Sequence, residues 1–162
     1  ERARAEAALR RRWPEAAEAA PPPAVAQVMA DICDLLSGGR PDFAEAPLDL
    51  SRTPAFHARV YAIARAIPPG ETLTYGQVAE RLGDKLLARD VGAAMGANPW
   101  PIVVPCHRVT AAGGKLGGFS ARGGASTKLK LLTIEGAAIA TAPPAPAKRN
   151  KPAPPPQADL FG

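Results

Sequence analysis

Each apolar stretch of helical period in this chain is halted within a few turns by glycine or proline. Gly38 and Gly39 halt one that carries Val25, Val28, Met29, Ile32, Leu35 and Leu36. Pro68, Pro69 and Gly70 halt another that carries Phe56, Val60, Tyr61, Ile63 and Ile67, and Gly83 and Gly136 stop two more. With 19 prolines, 15 glycines and only 5% aromatic residues among 162, the core must be small and helical. The length suits one domain of ordinary size. No apolar run approaches the roughly 18 residues that a bilayer span needs, so a membrane protein is not expected, and no secretory signal is visible.

Two cysteines cannot form a disulfide framework, and with two histidines they can hardly build a tetrahedral structural zinc site. A reducing, cytoplasmic setting fits. The net charge of +5 is unevenly spread: residues 1–52 carry 7 basic and 9 acidic side chains, residues 53–139 carry 10 and 5. A basic surplus confined to the middle of the chain suits a polyanionic partner such as nucleic acid, and it also serves solubility alone.

The opening helix starts at Glu1 with nothing before it to pack upon, which suggests a truncated N-terminus. Residues 14–23 read as a linker, and Cys33, on the helix that follows, as core filler. Residues 48–50 are expected to be extended. Thr53 and Pro54 then supply an N-cap and a first-turn proline. Thr74 and Gln77 stand at capping-box spacing ahead of a short helix that closes at Gly83, and a second helix is expected from about Lys85 to Ala97. Such a pair is what a helix-turn-helix looks like, and also what any small helical bundle contains. Pro101 to Pro105 encloses a β-branched IleValVal run, expected to be a strand. Six glycines fall within residues 113–124, and a last helix is expected over 126–135 with Leu129, Leu131, Leu132 and Ile134 as its apolar positions. Beyond it lies an Ala-, Pro- and Lys-rich tail over 140–162, without periodicity.

The residues that could carry chemistry are Pro105, Cys106, His107, Arg108 and Val109. A thiol becomes a nucleophile as thiolate, which an adjacent imidazole and guanidinium favour by accepting its proton and lowering its pKa. The same residues also admit a buried cysteine beside a surface His-Arg pair. A zinc site lacks a second cluster of ligands.

ProCysHisArgVal, preceded by Asn98-Pro99 and a short β-branched run, resembles the active-site signature of the methylated-DNA:protein-cysteine methyltransferases. These repair guanine alkylated at its O6 oxygen. The similarity extends from about Ala24 to Gly136, taking in ThrTyrGlyGlnValAla, AlaArgAspValGlyAlaAlaMetGlyAlaAsnPro and LysLeuLysLeuLeuThrIleGluGly. It implies a mainly α fold of an α+β family: a helical domain over 53–139 with a helix-turn-helix of winged-helix type, behind residues 1–52 as the remnant of an N-terminal α/β domain.

The activity implied is irreversible transfer of an alkyl group from guanine O6 in double-stranded DNA to Cys106, once per molecule, by a monomer using neither metal nor cofactor. His107 is the implied general base, acting through a water, with Glu135 orienting it and Tyr75 donating a hydrogen to the guanine ring. Arg89 is the implied intercalating side chain on a minor-groove helix whose face is Gly92, Ala93, Met95, Gly96 and Ala97. Val109, Phe119 and Ser120 are implied around the flipped base, Met95 and Pro101 as apolar walls, and Asn98 as a tie between the helix pair and the Cys106 loop. Asp90 and Phe119 depart from the alanine and tyrosine frequent in the family. Two other functions remain open at this point. One is a cysteine hydrolase, which would turn over. The other is a non-catalytic binder of alkylated DNA, although such relatives replace the cysteine of this motif.

Overall fold

Thr74 and Gln77 fold as their spacing predicts. In the computed structural model, which describes residues 2–121 and 123–137, the Thr74 hydroxyl accepts from Gln77 N at 3.2 Å and Gln77 Oε1 accepts from Thr74 N at 2.7 Å. That box opens helix α4 (Tyr75–Arg81); α1 (Arg2–Arg12), α2 (Pro23–Leu36) and α3 (Ala55–Arg65) precede it, and α5 (Ala88–Gly96) and α6 (Gly124–Ile134) follow. No helix among the described residues is long and apolar enough to cross a membrane. The tail expected over 140–162 lies outside the described residues.

Several local expectations need correction. Thr53 does not cap α3; Pro54 occupies that position without a side-chain bond, so the helix begins one residue later than the sequence suggests. The helix expected from Lys85 is divided. Asp84 accepts from Leu86 N at 2.8 Å and winds Lys85–Leu87 into a 3-10 turn before α5 starts. Residues 48–50 form no strand.

The IleValVal run is a tight loop and not a strand. Three prolines deprive the segment of amide donors. Asn98 closes it instead, donating from Nδ2 to Val104 O and accepting from Trp100 N, both at 2.9 Å. Ile102 takes the left-handed conformation at φ 77°, which is costly for a β-branched residue.

The only ladder among the described residues is a parallel pairing of β1 (Leu73–Thr74) with β2 (Val109–Thr110), in the register Leu73–Val109 and Thr74–Thr110. Strands of two residues leave no periodic signal in a sequence. Short as it is, the ladder sets the start of α4 beside the chain that has just left Cys106.

The main core gathers Val60, Tyr61 and Ala64 of α3, Val78 and Ala79 of α4, and Val91, Ala94 and Met95 of α5, with Val104, Cys106 and Val109 closing one side. Tyr61 donates its hydroxyl hydrogen to Ala94 O at 3.0 Å across this core. A second cluster, Leu35, Phe43 and Val103 with Ile102 and Ile134 against them, joins α2 to the Asn98–Pro105 loop and to α6. Arg65 pins the chain after α2, donating from Nη2 to the carbonyls of Phe43 and Ala46 at 2.8 Å each and also to that of Ala44. Cys33 is exposed and not core filler. It stands two residues from buried Leu35, which is more than half a turn around the helix.

Candidate active site

A 3-10 turn, Cys106–Arg108, immediately follows Pro105 and buries three consecutive polar side chains. Cys106 forms part of the wall of a pocket of about 300 Å³ lined also by Tyr75, Gly92, Met95, Gly96, Gly118, Phe119 and Ser120. Gly92 and Gly96 are one turn apart on α5, and a Cβ on either would meet nothing within 4 Å. These two glycines, expected on the DNA-facing side of α5, thus leave the pocket wide where that helix passes it.

Behind Cys106 lies a buried charge network. Glu135, the C-cap of α6, accepts from Arg108 twice, Nε to Oε2 at 3.0 Å and Nη2 to Oε1 at 2.7 Å. Arg108 Nη1 donates to Ile67 O at 2.5 Å, so its guanidinium is consumed away from the thiol. This corrects the expectation that Arg108 acts on Cys106 directly. His107 Nε2 lies 3.0 Å from Glu135 Oε1. Burial pushes the Glu135 carboxyl up, but the hydrogen bonds from His107 and Arg108 outweigh it and hold it down at about 2. An ionised carboxylate only accepts, so Nε2 carries the ring hydrogen. Burial also keeps His107 below its ordinary pKa, hence neutral at pH 7. Its Nδ1 is then a bare acceptor, buried and without a partner among the described residues.

The cation that serves the thiol is one the sequence did not announce. Lys128, wholly buried on α6, donates from Nζ to Val109 O at 2.6 Å and to Gly118 O at 3.3 Å, and stands 5.9 Å from the centroid of the Tyr75 ring. Burial lowers its ammonium to about 8, against the opposing pull of Cys106. Cys106 itself is pushed up by burial, with the hydrogen bond from Asn98 and the charge of Lys128 acting the other way. The resting thiol is therefore protonated. A trace of Lys128 was present in the sequence: Lys128, Leu131, Leu132 and Glu135 recur at helical spacing, and all four are buried.

Tyr75 sits under the glycine loop with its hydroxyl 3.4 Å from Gly118 O, and burial raises its pKa. Gly117 (φ 72°) makes this possible, since a Cβ there would fall 3.0 Å from the tyrosine ring. Arg89, Ala93 and Ala97 are exposed along α5. One expectation fails. Pro101 is exposed and is not among the residues lining the pocket. Val109 is buried, and its carbonyl accepts from Lys128, which occupies one of the two acceptor positions of that oxygen.

Fold and site together define a helix-turn-helix protein whose second helix runs over a pocket walled by a cysteine backed by a histidine-carboxylate pair. The sequence profile described as 6-O-methylguanine DNA methyltransferase, DNA binding domain, matches residues 55–137. The chain belongs to that family. A methylated-DNA–protein-cysteine methyltransferase of Methanothermobacter thermautotrophicus is 36% identical over 122 residues, 75% of this chain and 67% of that protein. A DNA base-flipping protein of Thermus thermophilus is 41% identical over 134 residues, 83% of this chain and 86% of that one. The crystal structure of Mycobacterium tuberculosis OGT in complex with DNA superposes with a TM-score of 0.61 at 41% identity, covering 67% of this chain and 63% of that one.

Proposed function

We propose that this protein repairs alkylated guanine in duplex DNA by moving the alkyl group to Cys106, once per molecule. One observation carries the chemistry: His107 is fixed by Glu135 so that its only bare nitrogen, Nδ1, is buried and unpartnered on the residue next to the thiol. In the step proposed, the thiol proton passes through a water to Nδ1, and the thiolate, facing the Lys128 ammonium, attacks the alkyl carbon in line. The C–S bond forms and the C–O6 bond breaks. The electron pair stays on the guanine, which takes up a proton from Tyr75, itself recharged from the histidinium. The thioether product does not hydrolyse, so the reaction stops at one equivalent.

A base cannot be attacked within the stack, so the target nucleotide must leave the helix for the pocket beneath α5. The small side chains of α5 suit a minor groove only about 6 Å wide, with Arg89 filling the vacated place. The Thermus relative supports a second reading, in which the protein binds and flips without chemistry; an available acceptor thiol argues against it.

The test is intact mass and peptide mapping after exposure to duplex DNA containing O6-methylguanine. One methyl on Cys106, and none on exposed Cys33, is expected, with loss of all transfer in Cys106→Ser. Label on Cys33, repeated turnover, or binding with no label would each overturn the proposal.

A further inference from the structure

We infer that Leu86 is an apolar wedge that seats against the minor-groove edge of duplex DNA, as the uncharged companion of Arg89. The inference rests on the DNA-repair reading above. Leu86 is 87% exposed, against 56% for Leu9 and 55% for Leu36. A lone exposed leucine is ordinary and decides nothing. What distinguishes this one is that the protein holds it in place. Its amide is tied to Asp84, Lys85 before it is paired with Glu80 at 2.5 Å, and Leu87 after it packs on the main core. An apolar side chain thus projects into solvent from a turn that is fixed on both sides.

Its position gives it a partner. Leu86 precedes Arg89 by three residues, and Leu86, Arg89, Ala93, Gly96 and Ala97 are all exposed at helical spacing, ending where Gly92 and Gly96 line the pocket. From Leu86 to Gly92 is roughly 9 Å along the axis, or two to three base steps of 3.4 Å. A flipped nucleotide entering beside Gly92 therefore leaves Leu86 over the duplex a few steps away. Apolar side chains of this size are what minor-groove proteins press against sugars and between base steps.

The experiment compares wild type with Leu86→Ala, Leu86→Gln, Leu86→Met and the control Leu36→Ala. It measures affinity for an O6-methylguanine duplex across a range of salt, and single-turnover transfer from that duplex relative to transfer from free O6-benzylguanine. Leu86→Ala and Leu86→Gln are expected to weaken duplex binding about tenfold at every salt concentration, leaving the salt slope intact. The ratio of duplex to free-base transfer should fall with them. Leu86→Met should stay near wild type, and so should Leu36→Ala. Arg89→Ala, by contrast, should flatten the slope by about one unit. Wild-type affinity in Leu86→Ala, or recovery in Leu86→Gln, would overturn the wedge. Absence of transfer by the wild type would instead defeat the repair reading on which it stands.

Discussion

Lys128 and Glu135 occupy the same face of α6 and carry opposite charges into the same interior, yet they answer to different neighbours. Glu135 neutralises Arg108 and fixes His107; Lys128 is left to the thiol. Because the Lys128 charge favours the Cys106 thiolate, the single-turnover rate is expected to decline as pH rises through about 8, where its proton leaves. In Lys128→Met the rate should be lower and that alkaline limb absent, which a pH profile of both proteins would show. The same shift makes stability rise between pH 8 and the ordinary 10.5 of a lysine, because the unfolded chain binds the proton that the folded one has released. Glu135→Gln leaves a buried guanidinium without its counter-charge and should cost about 3–5 kcal/mol in denaturant unfolding. The double variant Arg108→Met, Glu135→Gln should recover much of that loss while transfer stays slow, because the glutamine no longer dictates which nitrogen of His107 is bare. Cys106, His107, Glu135 and Tyr75 could be assigned by resemblance from a sequence. The direction in which Arg108 turns could not, because Arg108 lies 27 residues from Glu135 and 41 from Ile67 along the chain, and only packing joins them.

At the scale of elements, local chemistry was well written in the sequence and closure of the chain was not. The capping box before α4, the glycine stops and the short paired helices all follow from spacing and side-chain type. Thr74→Ala should accordingly destabilise by about 1 kcal/mol, read from thermal unfolding. The Pro101–Pro105 run misled because β-branched residues between prolines look like strand, whereas Asn98 supplies the bonds that turn it into a loop. Its Ile102 tolerates a left-handed backbone because its side chain is packed in the second core cluster. The glycine loop is legible as a loop, but not as the cover of Tyr75. Gly117→Ala puts a Cβ against that ring and strains a backbone at positive φ. It should slow transfer markedly and cost about 1–2 kcal/mol of stability, which single-turnover rates and unfolding curves would measure separately.

Over the whole molecule, the buried histidine and carboxylate govern how the fold meets acid. Both are held below their ordinary pKa values, His107 by burial and Glu135 at about 2. The unfolded chain therefore takes up protons that the folded one refuses, first near pH 6.5 and then near 4.5. The stability these two groups contribute is fully present above that window and is lost as pH drops through it, that of Glu135 down to about 2, which denaturant titration at stepped pH would follow. The two-residue ladder carries a consequence in time. The capping box and the turns of α4 and α5 close locally, but β1 pairs with a partner 36 residues away, a separation like the 33 residues that part Tyr61 from Ala94, so the Cys106 turn is expected to be seated together with the α3–α5 packing, after the local helices. During refolding, a brief pulse of a thiol reagent should label Cys33 at every delay, whereas protection of Cys106 should appear only after the local helices have formed. A molecule caught before that closure would have its local helices and no seated nucleophile, so the protection of one thiol would report when the chain becomes competent for repair.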